Sequence, residues 1–143
     1  MADDLAAANV NRSYSLAATS IAIVTFMLFF LYPRFASGEI NAVLFQATLV
    51  VMGLATFSFV FASFYYYCSS LGDRIEDAER TAYSRRGDRI WLAGSILLFL
   101  GPGLVLFSIG LVAVGSVWLA LWLVYLLFVI RYFPRVQTRR ERS

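Results

Sequence analysis

Four apolar runs divide the chain, and the polar positions between them set the predicted limits of each element. The first extends from about Tyr14 to Tyr32 and meets Pro33-Arg34, which is expected to stop it. The segment "FASGE" at 35–39 then turns the chain. The second run starts near Ile40 and carries no charge until Asp73, a stretch of 33 residues. About 20 residues suffice to cross the hydrocarbon as a helix, so this element must tilt or project beyond it.

The one extended polar stretch, "GDRIEDAERTAYSRRGDR", follows. Glu76 and Asp77 stand four and three residues before Arg80, while Ile75, Ala78 and Ala82 fall on one side. That spacing predicts a short amphipathic helix continuing the second element and ending at Gly87. The third run begins at about Ile90. Breaking it at "GPG" (101–103) would leave Ile90–Leu100, about 16 Å of helix and too short to span. A helix to about Phe107, hinged at Gly101, Pro102 and Gly103, is expected instead, with a turn near Ser108–Gly110. The fourth run covers about Leu111 to Tyr132 and meets Phe133-Pro134.

The predicted fold is therefore an all-α integral membrane protein, a four-transmembrane-helix antiparallel bundle. Its spans lie at about 14–33, 40–68, 90–107 and 111–132, within a membrane domain 14–133. An N-terminal segment (1–13), an amphipathic loop (70–89) and a basic tail (134–143) lie outside the bilayer. Composition agrees: 60% of residues are hydrophobic and 15% charged, with a mean hydropathy of +0.72.

Charge adds orientation. All twelve basic residues are arginine. With both termini cytoplasmic, eleven of them lie inside: Arg12, five in the central stretch and five from Arg131 onward. Only Arg34 then lies outside, as the positive-inside bias favours. A plasma or inner membrane is expected. The cytoplasmic arginines, among them Arg74, Arg80, Arg85, Arg86, Arg89, Arg131, Arg135, Arg139 and Arg140, could contact anionic lipid headgroups or a protein partner. No folded surface for reading nucleic acid is present in the tail.

Residue types narrow the chemistry. The chain has no lysine or histidine and one cysteine, Cys68. Schiff-base chemistry, a histidine proton shuttle, a histidine metal site and an internal disulfide are excluded. Apart from Arg131 at the edge of the fourth, no charged residue lies inside a predicted span, which argues against a proton-coupled carrier and an intramembrane enzyme. No cofactor, metal or catalytic residue is expected. "RGD" at 86–88 and "NRS" at 11–13 fall on the expected cytoplasmic face and carry no weight as adhesion or glycosylation signals.

One pattern remains. Asn41, Thr48, Ala55, Ala62 and Ser69 recur every seven residues on the second helix, with Gly94, Gly101 and Ser108 on the third. Small stripes let membrane helices approach closely. Two readings follow. The stripe, with Gln46, could line a homo-oligomeric passive channel that opens and closes through segment 70–89, with Arg34 and Glu39 at its outer mouth. Alternatively the chain is a non-conducting assembly, sensor or regulatory subunit docking a partner through its arginine-rich face. Tyr65, Tyr66 and Tyr67 mark where the second helix leaves the apolar layer, and only one of three adjacent residues can face inward.

Overall fold

The computed structural model describes the backbone of residues 2–71 and 76–140, with side chains over 7–71 and 76–131. Four helices account for nearly all of it: α1 (Ala2–Ala36), α2 (Ala42–Ser70), α3 (Asp77–Ser108) and α4 (Val112–Arg140). Each contains a window long and apolar enough to cross a membrane, with mean hydropathy between 2.0 and 2.4. Among the described residues there is no strand.

The helices lie side by side in chain order. α2 is central, packed by α1 and by α3, while α4 packs on α3 and makes at most slight contact with α1 or α2. The arrangement is a three-helix core with an appended fourth helix, more open than the closed four-helix bundle the sequence suggests. Two apolar clusters hold the core. Ala17, Ala55 and Phe59 form one, with Trp91 and Leu98 packed against it. Met27, Ile40 and Phe45 form the other, flanked by Phe35 and Val105.

Both turns at one end are made by glycine. Gly38 adopts φ +78° and Gly110 φ +82°, a region that costs other residues a Cβ clash. After α1, the Glu39 N–H donates to the Arg34 carbonyl (2.9 Å) and Gly38 to Phe35 (3.1 Å). After α3, Leu111 donates to Leu106 (2.9 Å) and Gly110 to Phe107 (3.1 Å). These are paired Schellman closures, which satisfy carbonyls the helix ends would otherwise leave open. Asn41 caps α2 by accepting from the Leu44 N–H at 3.1 Å, and its own N–H donates to the Ser108 carbonyl (3.0 Å).

Several expected boundaries move. α1 runs through Pro33 to Ala36, and the α4 backbone stays helical through Pro134 to Arg140. A proline removes one N–H and need not end a membrane helix; Gly38, not Pro33, closes α1. The polar segment changes owner. α2 ends at Ser70, and residues from Asp77 belong to α3, which passes through Gly87 without a break. The Glu76–Arg80 stretch thus prolongs the third helix, not the second. Pro102 is interior to α3, between buried Gly101 and Gly103. The turn at Ser108–Gly110 is where the sequence places it.

Candidate functional site at the arginine-rich end

The heptad stripe of α2 is consumed by packing. Thr48, Ala55 and Ala62 are 0% exposed and Ser69 is 5% exposed, all within one chain. Beside them runs a second row that the sequence reading did not separate: Phe45, Met52, Phe59 and Tyr66, also seven apart and all buried. This large row meets a small row on α3. A Cβ on Gly87 would lie 2.9 Å from the Tyr66 ring, one on Gly94 3.1 Å from Phe59, and one on Gly101 2.5 Å from Met52 Sδ. Each seven-residue step up α2 matches a seven-residue step back along α3, the register of two antiparallel helices in close contact.

Hydroxyls in this zone are satisfied locally. Thr48 donates to the Leu44 carbonyl (2.7 Å), Thr56 to Met52 (2.9 Å), Ser63 to Val60 (2.6 Å) and Ser69 to Tyr66 (2.7 Å). Such back-bonding hides a polar atom against its own helix. Asn41 and Gln46 are exposed, apart from the buried row. Arg34 and Glu39 are exposed on either side of the first turn, and no ion pair joins them among the described residues.

A polar cluster forms at the opposite end of α2. Of the three adjacent tyrosines, Tyr66 is the one that turns inward, at 4% exposure, whereas Tyr67 is 57% exposed. Tyr65 is half-buried, its ring 6.3 Å from Tyr83. The Tyr66 hydroxyl donates to Asp88 Oδ1 on α3 at 2.7 Å. One turn further, Trp91 receives the Arg12 guanidinium from α1 over its ring, 4.2 Å from the centroid, and meets Phe59 edge-on at 6.4 Å. Asn9, Arg12, Tyr66, Asp88 and Trp91 enclose a cavity of about 210 Å³. Two buried donors nearby, Trp91 Nε1 and Ser13 Oγ, have no hydrogen-bond partner among the described residues.

Arginines extend this end outward. Arg85, Arg86 and Arg89 are exposed on the first turns of α3, and Arg80 is half-buried. Arg131 is exposed on α4. Arg135, Arg139 and Arg140 lie on the helical backbone of α4, with side chains outside the described residues, and Arg74 lies outside them altogether. The sequence reading found the arginines but missed the cavity, because its walls come from three helices. The pairs Asn9/Arg12 and Asp88/Trp91, each three residues apart on one helix, mean nothing until α2 brings Tyr66 between them. The signal available was a polar residue at the same border of three apolar runs: Arg12, Tyr66 and Asp88. Among the described residues no group of acidic, histidine or cysteine side chains is placed to hold a metal.

An apolar groove of about 220 Å³ lies where α4 meets α3, lined by Phe99, Trp118, Leu121, Trp122 and Tyr125. The two indoles close it by donating to backbone carbonyls of α3, Trp118 to Phe99 (2.8 Å) and Trp122 to Ile96 (2.9 Å). Both carbonyls lie in the turns around Leu98, whose own acceptor bond Pro102 removes. No protein-family model, curated protein or solved structure matches the chain.

Proposed function

We propose that the protein is a non-conducting membrane subunit, with both termini cytoplasmic, that docks an acidic partner through its arginine-rich end. The observation that carries this reading is the complete burial of Thr48, Ala55 and Ala62 between α1, α2 and α3. A pore lined by that stripe would require α1 or α3 to leave α2, undoing the closest helix contact in the molecule. The exposed face of α2 offers no substitute lining, because Val43, Val50, Leu54, Phe57, Phe61 and Phe64 dominate it.

The working surface is supported by helix length. α1 has 35 residues and α3 has 32, about 52 and 48 Å of helix against roughly 30 Å of hydrocarbon. Both exceed the apolar layer at the end that carries Arg12, Arg80, Arg85, Arg86 and Arg89. The charges are thus displayed on a regular helix, which fixes their spacing toward an acidic surface or anionic lipids. Eleven of twelve arginines on one side favour that side as cytoplasmic, in a plasma or inner membrane. A homo-oligomeric passive channel is the competing reading.

Flux in proteoliposomes separates the two. The purified protein is reconstituted under potassium, sodium, chloride and proton gradients and compared with empty vesicles. No flux above the empty vesicles is expected. A flux abolished by Thr48→Leu in a protein that still folds would overturn the proposal in favour of the channel.

A further inference from the structure

We infer that the cavity between α1, α2 and α3 holds the headgroup of a zwitterionic amino-phospholipid, its phosphate against Arg12 and its ammonium against Asp88. The inference rests on membrane placement alone and is independent of whether the protein conducts.

The first ground is depth. Arg12 stands two residues before the first apolar run, Tyr66 in the last turns of α2, and Asp88 two residues before the third run. The cavity they share therefore lies at the border of hydrocarbon and water, where headgroups are. The second is charge. Arg12 and Asp88 line the same cavity, yet no ion pair joins them among the described residues. Two opposite charges held apart across one space match a ligand that carries both.

Hydrogen-bond capacity fits as well. The Arg12 guanidinium lies over Trp91, its Cζ 4.2 Å from the ring centroid, and its N–H groups are the donors a phosphate oxygen would meet in this cavity. Trp91 lines the same cavity, and its buried indole N–H has no acceptor among the described residues. A buried donor without an acceptor costs free energy that an entering oxyanion returns. Asp88 accepts from Tyr66 through one oxygen and keeps acceptor sites for an ammonium. A primary ammonium can donate to them. A trimethylammonium cannot, and one face of the aromatic ring it would prefer is covered by Arg12.

Native mass spectrometry of the detergent-purified chain tests this, with phosphatidylethanolamine, phosphatidylcholine and phosphatidylglycerol added separately at equal concentration. Soluble phosphoethanolamine and inorganic phosphate form two further arms. Phosphatidylethanolamine is expected to be retained about tenfold more than the other lipids, the equivalent of one charge-assisted hydrogen bond. Asp88→Asn should remove that preference, and Arg12→Gln should lower retention of all three. The soluble probes should leave no adduct. Equal retention of the three lipids by the wild-type chain, or a preference unchanged in Asp88→Asn, would overturn the inference. Retention of phosphoethanolamine as strong as that of the lipid would overturn it too, by making the site one for a soluble ligand. Should Arg12→Gln fail to fold, the wild-type ordering and Asp88→Asn still decide. A flux found in vesicles would leave this result standing.

Discussion

At Gly94 a single missing carbon sets how closely α3 approaches α2. A Cβ there would lie 3.0 Å from Ser58 Cβ and 3.3 Å from the Ala55 carbonyl oxygen, the latter being backbone that cannot swing aside. Gly94→Ala should therefore cost about 1–3 kcal/mol, read as an earlier unfolding transition in detergent. Gly53, on α2, meets nothing within 4 Å. Gly53→Ala should stabilise by about 0.5–1 kcal/mol in the same assay, since alanine loses less backbone freedom in a helix. Equal effects at the two positions would mean that helix propensity, and not interhelical contact, governs both. Tyr66→Phe tests the polar cluster at the other end. It deletes the 2.7 Å bond to Asp88 while keeping the ring against Gly87. A loss of about 1.5–3 kcal/mol is expected, and Asp88→Asn combined with it should cost less than the two changes added. Strict additivity would mean that the two side chains do not act as a pair.

Among the elements, α4 is held most lightly, and its attachment depends on two indoles. Trp118 and Trp122 donate to α3 carbonyls, a Cβ on Gly103 would lie 3.1 Å from the Trp118 ring, and Phe99 meets Tyr125 at 5.1 Å. Replacing both tryptophans by phenylalanine keeps most apolar surface but removes both bonds, each worth roughly 0.6–2 kcal/mol in a membrane helix pair. Hydrogen exchange should then rise along α4 and stay unchanged along α2. Exchange rising equally in both would show that α4 is integral to the core. Much of this level was legible in the sequence. Run lengths gave the number of helices, and the need for about 20 residues per span placed "GPG" inside α3 and the turn at Gly110. The seven-residue recurrence of Thr48, Ala55 and Ala62 marked a packing face. Proline misled at Pro33 and Pro134, because a backbone in a membrane segment has more to lose by leaving the helix than by giving up one bond. The polar stretch after Asp77 was assigned to the wrong helix, since its charge pattern is equally helical on either side of residues 72–75. The large row Phe45, Met52, Phe59 and Tyr66 was in plain view, but its meaning depends on the glycine row that receives it. The cavity was beyond local reading for the same reason.

As a whole, the molecule is asymmetric along its length. One end is two glycine-closed turns with Arg34 and Glu39 exposed, a surface too small to recognise much. The other carries the projecting ends of α1 and α3, a polar cavity and exposed arginines. Between them the file of small and hydroxyl residues on α2, from Thr48 to Ser69, is enclosed by the chain itself. On the proposed reading, a protein so built has its chemistry at one membrane surface and a sealed apolar body. The central claim is that seal, and thiol accessibility in proteoliposomes tests it most directly. Single cysteines replace Thr48, Ala55 and Ala62 in a Cys68→Ser background, with Ser37→Cys in the exposed turn as the reactive control. A charged, water-borne thiol reagent is expected to modify position 37 and none of the other three. Modification at 48, 55 or 62 as fast as at 37 would place water along α2 and contradict the account.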